Sequence, residues 1–327
     1  MMNHETCGAD PLVRAGPPGP ASMPTGASAA RGGVRSTFLR LTKPSAFILA
    51  TLALTSALAT TAAAKPYAGP ETVVIPNGSV TLRALLWRPQ GRGPFPAVLL
   101  NHGSGRSREE LERLGPYEWQ ADVLGPVFAR HGYVFLYLFR RGVGLSADQG
   151  DNAVVLMNRE FAAHGQEARN ALQLRLLETT EMSDALSGLT FLRALPGVDA
   201  RDVAVIGHSF GGSLTLLMAE REPDLRAVVI FSGAGYSWDR SPELRARHLA
   251  AVAHTAAPIF FIHAENDYSL ASGKALDARL QQLGKPHRLK IYPPIGHTVD
   301  DGHAFLYLGV NIWEPDVFAF LDEHMRR

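Results

Sequence analysis

The sequence predicts an α/β fold: one mostly parallel central sheet with helices on both faces. Three observations carry that expectation. Short apolar, β-branched runs alternate with helix-patterned segments from residue 71 onward, the pattern of strands joined by crossover helices. One run, Val203 to Ile206, stops at Gly207 and passes through His208-Ser209-Phe210-Gly211-Gly212 into the apolar helical segment Ser213 to Ala219. The first two strand-like runs are separated by Asn77-Gly78, a hairpin turn signal.

Residues 1–64 stand outside the pattern. Met1 to Gly33 is rich in Gly, Pro, Ala and Ser without apolar periodicity and reads as a disordered leader. Arg35, Arg40 and Lys43 then precede an uncharged stretch, Pro44 to Ala64, that ends Ala62-Ala63-Ala64. These are the parts of a secretory signal peptide cut after Ala64, which implies a secreted or periplasmic product. The competing reading is an uncleaved membrane anchor over 44–64, long enough to span but weakened by its many Thr and Ala residues. The late start of the signal points to Met23 as the initiator.

The single cysteine, Cys7, lies in this leader, so residues 65–327 hold neither a disulfide nor a thiol nucleophile. Removing the leader's five basic and two acidic residues from totals of 32 and 31 leaves 27 against 29. A domain so near neutrality, without a basic face or acidic block, argues against nucleic acid and against strong membrane association once the leader is cleaved.

Residues 65–327 read as one domain. Glu71 to Ile75 and Val80 to Trp87 are the hairpin strands, and the alternation of Val80, Leu82, Ala84 and Leu86 gives one buried face. Phe95 to Leu100 and Tyr133 to Phe139 are continuous apolar runs, as expected of strands covered on both faces. A helix over Tyr117 to Arg130 separates them. Residues 151–195 carry mostly helical signals, with Met182, Ala185, Leu186, Leu189 and Leu192 at helical spacing. That is more than one crossover helix needs, so residues 151–178 are expected to form a small helical excursion over the edge of the sheet. Strands follow at Ala227 to Phe231, Pro258 to His263 and Arg288 to Tyr292, with helices over Pro242 to Ala253 and Ser272 to Leu283. Asp316 to Met325 closes the chain as a helix, with Pro315 in its first turn.

The glycines around Ser209 have a steric reason. A serine on so sharp a strand-to-helix turn needs neighbours without a Cβ two residues to either side, and Gly207 and Gly211 supply them. This is the context of a nucleophile elbow, with the hydroxyl held at a helix N-terminus. A serine hydroxyl becomes a nucleophile only with a base, and the base needs an orienting acid. In a parallel sheet both belong in loops after strand C-termini. The strand ending at His263 is followed by Ala264-Glu265-Asn266-Asp267, and that ending at Tyr292 by Pro293-Pro294-Ile295-Gly296-His297. Asp267 is the expected acid; Glu265, its alternative, should still be leaving the strand. His297, directly after the proline–glycine break, is the expected base, and His303 beyond Asp300-Asp301-Gly302 is its rival.

The amide of Phe210, next after the serine, is one expected donor to an oxyanion. His102 and His208 flank the site as loop hydrogen-bonders, and no His, Asp or Glu cluster has metal-ligand spacing, so neither metal nor cofactor is inferred. Arg140 and Arg141 lie on the same rim. They either hold loops against Asp148 or Asp151, or bind a substrate carboxylate through arginine's planar fork. Gly142-Val143-Gly144-Leu145-Ser146-Ala147 imitates a dinucleotide fingerprint, but Asp148-Gln149-Gly150-Asp151 breaks the helix such a site requires.

From about Glu71 to Arg327 the chain resembles the α/β-hydrolases, and is most similar to the dienelactone hydrolase family and its prolyl-oligopeptidase-like relatives. The likeness rests on Asn101-His102-Gly103-Ser104-Gly105, Gly207-His208-Ser209-Phe210-Gly211-Gly212, His263-Ala264-Glu265-Asn266-Asp267 and Tyr292-Pro293-Pro294-Ile295-Gly296-His297. The resemblance implies Ser209 as nucleophile, Asp267 as acid, His297 as base and the Ser104 amide as the second oxyanion donor. It implies a serine hydrolase that cleaves small-molecule carboxylic esters through an acyl-enzyme. The small excursion without an apolar lid favours short to medium acyl chains. Dienelactone hydrolases proper carry cysteine where this chain has Ser209, so the lactone substrate does not follow. A peptidase is the enzymatic alternative, although the prolyl peptidases carry a further large domain. A catalytically silent binding scaffold is the other alternative, and an incomplete triad would be its sign.

Overall fold

Strands β1 (Tyr67–Asn77), β2 (Val80–Pro89), β3 (Phe95–Asn101), β4 (Val134–Phe139), β5 (Val198–His208), β6 (Ala227–Phe231), β7 (Ile259–Ala264) and β8 (His287–Tyr292) lie in one sheet, ordered β1-β2-β4-β3-β5-β6-β7-β8. β2 runs antiparallel to both β1 and β4, and every pairing from β4 to β8 is parallel. The computed structural model describes residues 67–105 and 116–325. The leader, the signal peptide or anchor over 44–64, and Cys7 all lie outside the described residues. Among the described residues no helix is long and apolar enough to cross a membrane.

The central strands are apolar throughout because both faces are covered. In β3, Ala97 and Leu99 face one core while Val98 and Leu100 face the other; in β5, Val203 and Val205 oppose Ala204 and Ile206 in the same way. The first core is closed by α2 (Ala153–Glu178), α3 (Thr180–Ala194), α4 (Phe210–Arg221), α5 (Pro242–His254) and α6 (Ala271–Gln282). The second is closed by α1 (Glu118–Arg130), α8 (Phe305–Leu308) and α9 (Val310–His324), which follow α7 (Val299–His303). Period-two side-chain alternation thus assigns each strand residue to one helical layer.

Several elements differ in detail from the expectation. The hairpin turns on Gly78-Ser79 rather than Asn77-Gly78. Asn77 pairs with Val80, and Gly78 takes φ +60°, while the Asn77 amide donates to Asp184 at 2.7 Å. The excursion is one helix, α2, broken at Gly165, whose φ is +83°. Its N-terminus is capped by Asn152, which accepts from the Val155 amide at 3.0 Å. The last helix begins at Val310, so Pro315 lies inside it rather than in its first turn. Burial of Trp313, whose indole N–H donates to the Leu306 carbonyl at 2.9 Å, holds the additional turn against the backbone bond the proline removes.

His248 on α5 is buried, and neither ring nitrogen has a hydrogen-bond partner. Burial first, and the adjacent Arg247 charge second, push its pKa down to about 3. An unfolded histidine takes up its proton near pH 6.5. Below that pH the unfolded state holds a proton the folded state refuses, so this contribution to stability is complete above it. It is lost by about 1.4 kcal/mol per pH unit down to the folded pKa. In urea unfolding between pH 7 and 4, His248→Leu is expected to reduce that slope, and an unchanged slope would place the acid sensitivity elsewhere.

Candidate active site

Ser209 sits between β5 and α4 with φ +56° and ψ −117°, a left-handed conformation costly for a residue with a Cβ. Its amide donates to the Phe231 carbonyl at 2.9 Å, which ties the strained residue to β6. The flanking glycines are required by contact. A Cβ on Gly207 would lie 2.3 Å from the Gly211 carbonyl oxygen, and one on Gly211 would lie 2.1 Å from that of Asn101. The elbow therefore presses backbone to backbone against the loop after β3.

The structure brings Ser209 and Asp267 together with His303. The His303 ring places Nε2 2.8 Å from Ser209 Oγ and donates from Nδ1 to Asp267 Oδ1 at 2.7 Å. The other carboxylate oxygen accepts from His263 Nδ1 at 2.8 Å, and the Tyr268 amide donates to Oδ1 at 2.8 Å. Burial opposes charge on Asp267, but the hydrogen bonds from His263 and His303 outweigh it and hold the carboxyl well below the usual carboxylate range. His263 is itself buried, and its Nε2 has no hydrogen-bond partner. Glu265, the alternative acid, is exposed.

His297 does not reach the site, and this corrects the sequence expectation. It is exposed, and its amide donates to Asp301 Oδ2 at 2.9 Å. The cause lies in Asn266, whose side-chain amide donates to the carbonyls of Ile295 and Thr298 at 2.8 and 2.7 Å and whose oxygen accepts from the Ile295 amide at 3.0 Å. That grip carries the chain past the serine before α7 begins in a Thr298–Asp301 capping box. Gly302 lets α7 approach, since a Cβ there would lie 2.4 Å from the Asn266 carbonyl oxygen. His303 then enters from the end of α7. The capping box and the glycine before His303 were the sequence signals for this placement.

Arg140 and Arg141 also depart from the expectation of substrate contact. Arg140 is buried, and its Nε donates to the buried Glu181 at 2.5 Å. Arg141 pairs with the buried Asp184 at 2.6 Å. Neither uses Asp148 or Asp151, which pair with Arg83 and Arg159. Helix α3 carries both partner acids and lies under the rim, so both guanidinium groups turn inward. His102 is a buried strut: Nε2 accepts from the Arg140 amide at 3.1 Å, and Nδ1 donates to the Gly103 carbonyl at 2.8 Å. Burial, then the Arg140 charge, keep its pKa well below the usual histidine value, so it is neutral. His208 donates from Nε2 to the His303 carbonyl at 2.7 Å and packs on that ring.

A cleft of about 870 Å³ opens over Ser209, Ser104, Phe210 and His303. Phe161, Tyr236, Tyr268 and Leu308 line it and remain 40–51% exposed, an apolar rim facing solvent. Arg169 of α2 also lines the cleft, half-buried and without a carboxylate partner among the described residues. Its guanidinium lies 5.6 Å from the Tyr236 ring centroid, with that of Arg240 at 4.1 Å from the same ring. No group of three His, Cys, Asp or Glu residues suited to a metal ion occurs among the described residues. Chemically, a hydroxyl, an imidazole and a buried carboxylate stand in line below an open cleft, the arrangement that moves a proton from oxygen to ring nitrogen.

A family model for the dienelactone hydrolase family matches residues 122–306. Among solved structures, a putative dienelactone hydrolase from Klebsiella pneumoniae shares 18% identity, with a TM-score of 0.52 over 77% of this chain and 97% of its own. The dienelactone hydrolase from Anabaena variabilis shares 21%, with a TM-score of 0.53 over 78% and 98%. The acylaminoacyl peptidase from Pyrococcus horikoshii shares 18%, with a TM-score of 0.57 over 81% of this chain but 43% of its own. These likenesses, with the strand order above, give the α/β-hydrolase fold.

The crowding at the elbow makes a steric prediction. Gly211→Ala places a methyl group against two carbonyl oxygens of the β3 loop, which cannot swing aside like a side chain. A loss of about 1–3 kcal/mol or more is expected, measured as the shift in urea midpoint at constant slope.

Proposed function

The chain belongs to the dienelactone hydrolase family, and on that premise we propose that it is a serine hydrolase acting on small-molecule carboxylic esters. One observation carries this reading: the 2.8 Å contact of His303 Nε2 with Ser209 Oγ while Nδ1 is held on Asp267. Ser209 attacks the acyl carbonyl as His303 takes its proton, and Asp267 stabilises the imidazolium. The Phe210 and Ser104 amides receive the oxyanion, whose collapse breaks the ester bond and releases the alcohol with the proton from His303. Water then attacks the acyl-enzyme as His303 takes its proton and returns it to Ser209, releasing the acid. The cleft volume lies within the range of small-molecule sites and suits a short to medium acyl chain. The leader composition supports export of the domain by residues 1–64.

Labelling with a fluorophosphonate probe tests the assignment. Wild type is expected to label, Ser209→Ala to lose labelling, and His303→Ala to label about 10³-fold more slowly or worse. His297→Ala is expected to label like wild type. Folded wild type that fails to label would end the serine-hydrolase reading, and loss in His297→Ala with retention in His303→Ala would reverse the base assignment.

Arg169, which has no carboxylate partner among the described residues, supports a preference for esters that carry a carboxylate, the role that sequence reasoning gave to Arg140 and Arg141. Burial lowers its pKa, Tyr236 opposes that shift and the like charge of Arg240 adds to it, so a substrate anion would favour the charged guanidinium. Arg169→Gln is expected to raise KM about tenfold for a p-nitrophenyl hemisuccinate, the worth of one charged hydrogen bond. The neutral butyrate ester should change less than about twofold. Equal effects on the two esters would remove the charge preference.

A further inference from the structure

Arg140 is the largest buried charged group near the site, and the mechanism above gives it no task. Its contacts are specific. Nη2 donates to the His102 carbonyl at 2.8 Å and to the Gly103 carbonyl at 2.7 Å. The Gly103 carbonyl also accepts from His102 Nδ1 at 2.8 Å, and the ring of His102 is fixed in turn by the Arg140 amide at 3.1 Å. On the other side of the elbow the guanidinium carbon lies 5.9 Å from the centroid of the Phe210 ring. Glu181 holds Nε and fixes the plane of the fork.

A trans peptide places its C=O and N–H on opposite sides. Pinning the His102 carbonyl on Arg140 therefore directs the Gly103 amide away from the guanidinium, and pinning the Gly103 carbonyl does the same for the Ser104 amide. Gly103 lies against the serine: a Cβ built on it would be 3.8 Å from Ser209 Cβ. Ser104 is held independently as well, by the Val154 amide donating to its carbonyl at 3.1 Å. We infer that Arg140 is a positioning residue for the oxyanion site, holding the amides of the β3 loop toward the developing charge through the carbonyls of the same peptides. The positive charge also polarises those peptides, since hydrogen bonds in a chain strengthen one another.

This inference rests on the serine-hydrolase reading, and its consequence is selective. Donors aimed at the oxyanion act in the transition state and little in the ground state. Removing Arg140 alone would leave Glu181 buried and unpaired, so the test removes both as Arg140→Met/Glu181→Met. The control removes the neighbouring ion pair on the same helix as Arg141→Met/Asp184→Met, which touches no carbonyl of the loop. Wild-type turnover of p-nitrophenyl butyrate and fluorophosphonate labelling come first, because their absence would sink the hydrolase reading rather than this one. The Arg140/Glu181 variant, folded by circular dichroism, is expected to keep KM within about threefold and lose kcat by about 10²–10³-fold, the cost of one oxyanion donor. Its affinity for an arylboronic acid should fall by a comparable factor. The Arg141/Asp184 control should keep kcat within about threefold whatever its melting temperature.

Arg140→Lys keeps the charge without the two-pronged reach. It is expected to fold and to give an intermediate kcat at unchanged KM, which keeps the inference testable if the double variant fails to fold. A wild-type kcat in either folded variant would overturn the assignment. So would a kcat loss in the control equal to that in Arg140→Met/Glu181→Met, because the effect would then be structural.

Discussion

The contact on which the site depends is backbone against backbone, between the elbow at Ser209 and the loop after β3. Gly211 meets the carbonyls of Asn101 and His102 at a separation that admits no Cβ, and Gly207 meets Gly211 within the turn. That approach fixes where the hydroxyl stands relative to the amides of the loop, a separation that flexible side chains would leave variable. It also sustains the left-handed Ser209, a conformation that costs about 1–3 kcal/mol. The surrounding order supplies that energy: residues Asp202 to His208 of β5 are all buried, and the Ser209 amide is bonded to β6. Strain at the serine persists because its neighbours leave no lower state within reach.

The electrostatics of the site follow from burial. Asp267 holds its charge in the interior because two imidazoles and the Tyr268 amide donate to it, so that both carboxylate oxygens are hydrogen-bonded. Two rings on one carboxylate also divide the labour. His263 on β7 anchors Oδ2 from within the sheet, leaving Oδ1 to orient His303 at the surface of the cleft. Arg140 and Glu181 show the opposite balance. A buried ion pair commonly stabilises a fold no more than apolar residues of the same volume would, and burial works to raise the Glu181 pKa against the pull of the arginine. Stability alone gives little reason for that pair. Its two hydrogen bonds to carbonyls of the β3 loop give a geometric one.

The sheet, its two helical layers and the serine elbow were legible in the sequence because they rest on local periodicity and on glycine at fixed offsets. Asp267 was legible because its loop is short and follows its strand directly. His303 was not, because its position depends on the tertiary grip of Asn266 on Ile295 and Thr298 and on the nucleation of α7 by Thr298 and Asp301. Nearness to the strand end favoured His297, whereas the capping box shows that the chain has another turn to make first. Arg140 and Arg141 were placed on the correct rim with the wrong orientation. Sequence gives the end of β4, but only the packing of α3 beneath it brings Glu181 and Asp184 within reach. The early start of the last helix was hidden for the same kind of reason, since burial of Trp313 outweighs a proline signal that is purely local.

Helix α2 touches two parts of the cleft. Its first turn holds two loops beside the cleft: the Val154 amide binds the Ser104 carbonyl, and Asn152 packs against Gly105 and donates to the Gly142 carbonyl at 3.3 Å. Further along it supplies the wall, with Met157 and Phe161 before the break at Gly165 and Arg169 after it. Substrate walls and the loop bearing the Ser104 amide are therefore parts of one element. A group pressing on the first half of α2 pushes on the peptide next to that amide, which ties this wall of the cleft to the oxyanion geometry proposed for Ser104. The break at Gly165 separates the second half from that constraint. Arg169 and the Tyr236 side of the cleft lie beyond that break, apart from the first turn that holds Ser104.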